Sequence, residues 1–460
     1  MPTNLNSSPQ SPVLGPHLPY INKTVPFKFR GIVFSFDLSH GLFSSAGVDA
    51  GTQFLLKVFS KILDEDIAAG KPPPRRVLDA GCGTGLIGIC AASAIKALSG
   101  EDASVYVRCQ DRDELARLVT SHNAAKNNIP PVTLETFTEP LLAGSVTDKW
   151  NLILTNIPAK AGNPVLEDFV SRSCSLLKPE GRIIMVVVNT LADFFRETII
   201  GADAKLLLEE KSPGHTVFVY RSEAEIPAVS VNIVPGFLGR YPFYLRASPS
   251  CEIEGSPVRL ETIHGASGFD KPGGAVLAAA KLLCRLGREK IPCSGDTPVL
   301  VHEPGQGFFT NWLLEFLRAA NRQKLVLSGR NILSLEAARH NCQNSVNVNA
   351  ISAVDLQLGK KALLEAGGGQ FAFIAAFPEL LPQNSMSKTA KQDMDQLTAI
   401  WNSLPPLLAE GGLFLAAFSS SDAERFDRKK PTGFTRLGSV KRNGFCAAAY
   451  KKDHSPALES

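Results

Sequence analysis

The chain repeats itself. VLDAGCGTGL, beginning at Val77, has a looser counterpart in VLVHEPGQGF, beginning at Val299. Setting Gly83 on Gly305 and Gly85 on Gly307 gives an offset of 222 both times. DRDELARLVTSHNAAKN from Asp111 matches GRNILSLEAARHNCQNS from Gly329, with His122 on His340 and Asn123 on Asn341. LILTNIPA from Leu152 matches AFIAAFPE from Ala372, LLKPEG from Leu176 matches LLAEGG from Leu407, and GVDAGTQFLL from Gly47 matches GFDKPGGAVL from Gly268. Five landmarks in one order at a near-constant offset require two copies of one folding unit. The polar, proline-containing stretch Arg221 to Ser230 is the expected boundary. We therefore expect a disordered lead-in over 1–24, a first domain over 25–221, a linker over 222–230, a second domain over 231–453 and a tail over 454–460.

Each copy alternates short β-branched runs with helical patterns. In the first, RRVLDA, VYVRCQ, NLILTN, GRIIMVVV and TVFVYR read as strands. LIGICAASAIKAL, DELARLVTSHNAAKN and VLEDFVSRSCSLL read as helices. This alternation predicts an α/β class of two tandem Rossmann-like domains, each a mostly parallel, doubly wound sheet. IIMVVV is apolar throughout, as a strand buried on both faces must be. Ligands of such sheets sit at the carboxyl ends of the strands.

Composition narrows the partners. The 44% hydrophobic and 20% charged content suits a soluble protein with a full core. Nine cysteines, an odd number with no CxxC pair, and eight dispersed histidines speak for a reducing cytosol and against a disulfide framework or a metal centre. No apolar run approaches the ~20 residues of a membrane helix. The Pro/Ser/Asn-rich first 24 residues lack the apolar centre of a signal peptide.

The chemistry gathers in the first copy, at strand ends. DAGCGTG places Asp79 before glycines at 81, 83 and 85. Lacking Cβ atoms, glycines let the backbone turn sharply and approach a ligand. The even spacing differs from the dinucleotide pattern, whose third glycine comes three residues after the second. The next strand ends at Asp111, where an acid can accept both hydroxyls of a ribose or cap the following helix. A later strand ends in NIPAKAG, Asn156 to Gly162. An Asn carbonyl and the next backbone carbonyl can accept the two hydrogens of an aromatic amine and hold its lone pair toward an electrophile. Pro158 fixes the backbone so that those acceptors point inward.

DAGCGTG resembles motif I of the class I S-adenosylmethionine (SAM)-dependent methyltransferases, and NIPAKAG resembles motif IV of their amino-methylating branch. HGLFSSAGVDAGTQFLL from His40 is similar to the lead-in of the "methyltransferase small" family, which includes tandem-domain enzymes that methylate guanine N2 in ribosomal RNA. The resemblance implies SAM at Asp79, Gly81, Gly83, Gly85, Asp111 and Asn156, with Asn156 and Pro158 at the acceptor amine and Lys160 near the substrate. Ala159 stands where motif IV carries a stacking aromatic, so either another residue, with Phe43 the candidate, takes that task or the acceptor differs from the usual guanine. In the tandem enzymes the degenerate copy usually precedes the active one; here the order is reversed.

The second copy keeps the shape and loses the chemistry. Val301, Glu303, Gly329 and Ala376 replace Asp79, Gly81, Asp111 and Asn156. Four losses speak against SAM binding there. Residues 222–460 nevertheless carry 26 Lys and Arg against 22 Asp and Glu, while 25–221 carry 21 against 22. The run AERFDRKKP makes Arg428, Lys429 and Lys430 candidate RNA contacts, since phosphate attracts such a surface whatever the base sequence; a solvated face is the alternative. The sequence thus reads as a cytoplasmic SAM-dependent N-methyltransferase acting on RNA, with guanine N2 of ribosomal RNA the first acceptor. A protein side-chain amide and a non-catalytic RNA-binding or assembly role are the rivals.

Overall fold

A computed structural model describes residues 17–100, 104–144, 149–223, 236–292, 298–317, 324–342, 347–352, 360–365, 370–380 and 396–454. The first domain opens with a hairpin, β1 (Ile21–Phe29) and β2 (Ile32–Ser39). Then come α1 (Ala50–Ala68), β3 (Arg76–Ala80), α2 (Leu86–Ser99), β4 (Tyr106–Asp111), α3 (Glu114–Lys126), β5 (Leu134–Thr138), β6 (Trp150–Asn156), α4 (Asn163–Ser175), β7 (Leu177–Val188), α5 (Ala192–Gly201), β8 (Ala204–Lys211) and β9 (His215–Ser222). Strands β3 to β9 form one sheet in the order β5-β4-β3-β6-β7-β9-β8. It is parallel except where β9 pairs antiparallel with β7 and β8. Ile183 to Val187 in β7 are all buried, which is why that run carries no polar residue.

The second domain opens with α6 (Phe237–Arg240) and four short strands, β10 (Leu245–Ala247), β11 (Ser250–Ile253), β12 (Ser256–Arg259) and β13 (Thr262–Ile263). It continues through α7 (Gly274–Leu286), β14 (Val299–His302), α8 (Phe308–Leu317), β15 (Lys324–Gly329), α9 (Ile332–Cys342), β16 (Asn347–Ser352), α10 (Lys360–Glu365), β17 (Phe371–Ala376), α11 (Gln396–Leu407), β18 (Leu408–Ser419), α12 (Ser420–Arg428), β19 (Phe434–Arg442) and β20 (Phe445–Lys452). Its sheet runs β16-β15-β14-β17-β18-β20-β19, the order of the first sheet strand for strand.

The His-Asn pairs that mark the repeat serve the fold. Asn123 Oδ1 accepts from Asp37 N (2.9 Å), and its Nδ2 donates to Asp37 O and to Thr84 O in the glycine loop. Asn341 makes the same three bonds to Glu261 N, Glu261 O and Gln306 O. His122 and His340 lie 2.7 and 2.6 Å from Asp37 and Glu261. In each domain one amide thus ties helix, entry segment and loop together; that of Asn123 is fully buried, and leaving it unpaired would cost about 1–3 kcal/mol per group.

The two domains meet through equivalent parts. Glu114 N donates to Arg330 O, and Ile332 N donates to Arg112 O, both at 2.9 Å; Asp113 and Asn331 form an antiparallel bridge between them. The Arg112 guanidinium donates to Gly265 O (2.8 Å), and that of Arg330 donates to Gly41 O (2.6 Å) and grips the Asp113 carboxylate with both Nε and Nη2. Each partner is the other's counterpart in the repeat, so the contact is close to two-fold symmetric. Phe237, Leu238, Tyr241, Tyr244, Ile263 and Leu333 extend the first domain's core around Leu141, Val165 and Phe169 into one apolar cluster.

Two boundary expectations change. The lead-in was expected to be unstructured through Thr24, but Leu18–Tyr20 form a 3-10 turn and β1 begins at Ile21. The backbone donors of that stretch pair with β2, so composition understated its order. Ser222, assigned to the linker, is the last residue of β9. The remainder of the expected linker lies mostly outside the described residues, as does the tail beyond His454.

Candidate active site

The glycine loop lies between β3 and α2. Gly81 and Gly83 take left-handed φ of +83° and +57°. A Cβ at Gly83 would meet nothing within 4 Å, and one at Gly81 only Leu141 at 3.9 Å. The loop backbone is therefore open to the space beside it. Gly81 N and Cys82 N are held by Gln110 O at 2.8 and 3.0 Å. Gly85 is different: a Cβ there would lie 2.6 Å from Thr120, so that glycine serves helix packing.

The two acids of the sequence reading take different positions. Asp79 is fully buried beneath the loop, where its Oδ2 accepts from Gly88 N at 2.8 Å and its Oδ1 has no hydrogen-bond partner. Burial raises its pKa to about 7, opposed by the Gly88 amide and reinforced by Asp111. Asp111 lies at the cavity wall and accepts from Gly83 N (3.0 Å) and Asp113 N (3.1 Å). Burial and the Asp113 charge raise its pKa to about 6, against the pull of those two amides and Arg112. Each carboxylate oxygen keeps a lone pair for a further donor.

Asn156 ends β6, one strand over from Asp79. Its Nδ2 donates to Asp49 Oδ2 (2.9 Å) and Thr52 Oγ1 (3.0 Å). Because an ionised carboxylate can only accept, this contact fixes which way the amide faces and turns Oδ1 away from Asp49. Asp49 caps α1, accepting from Thr52 N at 3.0 Å, so the start of that helix serves as the orienting brace. Pro158 is exposed, and its carbonyl accepts from Ala161 N (3.0 Å) to close the turn.

These groups surround a cavity of about 420 Å³. Gly81, Gly83, Asp111, Asn156, Pro158 and Phe43 all line it, the last 73% exposed at its edge. Asp79 and Gly85 stand behind the wall, and Lys160 is exposed outside it. Sequence reasoning missed Asp49 and Thr52 as the orienting pair, although both stand in the Asp-x-Gly-Thr lead-in; it also missed Tyr244, His264 and Leu333, wall residues from the second domain. The volume, the open glycine backbone and an acid at the second strand end suit a nucleoside-bearing cofactor such as SAM. No group of three or more His, Cys, Asp or Glu able to hold a metal occurs among the described residues, and no helix there is long and apolar enough to cross a membrane.

The second copy's loop is plugged from within. Glu303 adopts the same left-handed turn as Gly81, at φ +54°, a conformation that burdens a residue with a side chain. Its Oε1 accepts from Arg330 N at 3.0 Å, and its Oε2 would lie 3.1 Å from a Cβ on Gly329. The glutamate thus fills the space an acid at position 329 would need. Val301 and Ala376 are fully buried, and Phe309 packs edge-on to Phe377 at 4.9 Å.

The basic run ends α12. Arg428 and Lys429 are exposed, whereas Lys430 Nζ donates to Phe434 O at 2.6 Å. Nearby cations face acids of the same domain: Arg425 with Asp422, Arg436 with Asp427 and Lys441 with Glu424, at 2.8 to 3.1 Å.

Residues 34–198 match the model of the methyltransferase small domain. Over 166 residues the chain is 29% identical to the uncharacterized protein YbxB of Bacillus subtilis, a match spanning 36% of this chain and 74% of that one. Among solved structures, the T. thermophilus 16S rRNA N2 G1207 methyltransferase, determined with AdoMet and guanosine, aligns over 95% of this chain and 100% of its own at 15% identity, with a TM-score of 0.58. That likeness is one of fold, and it extends over both domains.

Proposed function

We infer that this chain, a SAM-dependent methyltransferase whose first domain belongs to the methyltransferase small domain family, methylates an exocyclic amine, and that the amine is guanine N2 of ribosomal RNA. The supporting observation is the enforced orientation of Asn156, whose NH₂ group is taken by Asp49 and Thr52. Its carbonyl oxygen is left to accept a hydrogen from an incoming amine, with the Ile157 carbonyl as the second acceptor. Both acceptors gain strength as the nitrogen becomes tetrahedral, so they favour the transition state over the bound ground state.

The cofactor assignment uses Gly81 and Gly83 for close backbone approach and Asp111 for the ribose hydroxyls. Bound SAM supplies a methyl group on a positively charged sulfur. Asp79 contributes indirectly, by holding Gly88 and hence the loop. Guanine N2 is taken from the T. thermophilus enzyme with the same two-domain fold, and the analogy of fold is its warrant. The RNA, the ribosome as its source and the phosphate contacts at Arg428 and Lys429 belong to the same proposal; Lys430, whose ammonium goes to Phe434 O, adds little to them.

Asn156→Ala tests it. Methyl transfer to ribosomal RNA is expected to vanish while SAM affinity, read by calorimetry, stays within a few-fold. A variant that methylates at near the wild-type rate would remove Asn156 from the chemistry.

A further inference from the structure

Part of the cavity wall belongs to the domain that has lost its own site. Tyr244, His264, Gly265 and Leu333 reach it from the second domain. His264 comes closest to the Asn156 loop: a Cβ on Gly162, the glycine that ends NIPAKAG, would lie 2.3 Å from His264 Nδ1. The imidazole therefore rests on that glycine, and a larger residue at 162 would displace it.

The backbone around His264 is pinned from both domains. His264 N donates to Tyr244 O (2.8 Å), and Gly265 O accepts from the Arg112 guanidinium (2.8 Å) and from Asn331 Nδ2 (3.1 Å). The ring, by contrast, makes no hydrogen bond to any described residue and is only half-buried. Burial holds its pKa below the ordinary 6.5, helped by Arg246 and opposed by Asp270. That shift favours the uncharged ring, which has one nitrogen as donor and the other as acceptor. A ring set on a pinned backbone against the motif IV loop and in the cavity wall, with neither nitrogen bonded to a described residue, is arranged to meet a ligand.

We propose that His264 is a substrate-contacting residue: the second domain completes the first domain's acceptor pocket, and the His264 ring hydrogen-bonds the polar edge of a planar heteroaromatic amine whose amino group lies at Asn156. This rests on the reading of the site as an amine methyltransferase. It also gives the degenerate domain a role in the active site, because the near two-fold contact carries the His-Gly turn at 264–265 to the partner domain's site. The structural alternative is that His264 merely fills space against Gly162. A spacer needs shape; a ligand needs its nitrogens.

The test uses the full chain saturated with S-adenosylhomocysteine, with guanosine, adenosine and cytidine as probes and calorimetry as the readout. His264→Leu keeps bulk and removes both nitrogens; His264→Gln restores a donor and an acceptor. We expect the nucleoside that binds wild type to bind the Leu variant at least tenfold more weakly and the Gln variant within about threefold. S-adenosylhomocysteine affinity and melting temperature should stay at the wild-type values in both, which separates contact from misfolding. Unchanged nucleoside affinity in the Leu variant, or equal losses in the two variants, overturns the contact while leaving the methyltransferase reading intact. If wild type binds S-adenosylhomocysteine but none of the nucleosides, the nucleobase acceptor falls, and this inference with it.

Discussion

Asn156 Nδ2 lies 2.9 Å from Asp49 Oδ2, across 107 residues of sequence, and this contact decides which end of the Asn156 amide faces the cavity. An asparagine free to flip would present donors and acceptor in turn to the substrate. Asp49→Ser separates orientation from folding, because serine still caps α1 but does not replace the carboxylate at Asn156. We expect kcat to fall at least about tenfold, equivalent to about 1.4 kcal/mol, with SAM affinity within twofold. Wild-type kcat in this variant would show that Asn156 needs no brace.

Cofactor affinity should depend on pH through Asp111. Its pKa is raised from 3.8 to about 6, so the cofactor-free fold favours the protonated form. The stability this group contributes is fully present below about pH 4 and is lost as pH rises through about 6. In the proposed ribose contact the ionised form is the better acceptor, because both of its oxygens can take a hydroxyl hydrogen. SAM should therefore bind about tenfold more weakly at pH 5 than at pH 7.5. Asp111→Asn should bind more weakly at pH 7.5 and flatten most of the trend, leaving only what buried Asp79 adds. Calorimetry at the two pH values checks both; an equal pH trend in the variant would assign the dependence elsewhere.

Much of this was legible in the repeat. The offset between the copies anticipated two sheets of identical strand order, and the apolar run of β7 gave its burial. Gly81, Gly83, Asp111 and Asn156 could be assigned to one cavity because strand ends of a parallel sheet converge. The division of labour between Asp79 and Asp111 was not legible, since depth beneath a loop is set by packing against Gly88 and not by motif position. Asp49 was visible only as part of a lead-in; its role arises where the start of α1 meets the end of β6. His264 was beyond reach, because its place depends on how two domains dock, and no periodicity within either domain encodes that.

The plugged loop of the second domain predicts that repairing one lost residue restores nothing. Val301→Asp supplies the missing strand-end acid, yet Glu303 still occupies the space beside Gly329. Titration should give one SAM per chain in wild type and in the variant. The buried site should also resist the new charge, so we expect a loss of stability of about 1–3 kcal/mol. Two SAM molecules per chain in Val301→Asp would mean that the plug yields.

The basic run at the end of α12 can be tested as a phosphate surface. Arg428 and Lys429 are exposed, and Lys430 spends its ammonium on Phe434 O. Neighbouring Arg425, Arg436 and Lys441 face Asp422, Asp427 and Glu424, so little charge is added from the surroundings. Changing Arg428, Lys429 and Lys430 together to Gln should raise the KM for ribosomal RNA severalfold at low salt and leave SAM affinity unchanged. Lys430→Gln alone should do little to RNA binding. Phosphate contacts act by releasing counterions, so the difference between wild type and the triple variant should narrow as salt rises. RNA affinity at two salt concentrations decides it. Equal affinities at low salt would make this run a solvated face and move the search for RNA contacts to the cavity rim, where Phe43 of the first domain is exposed.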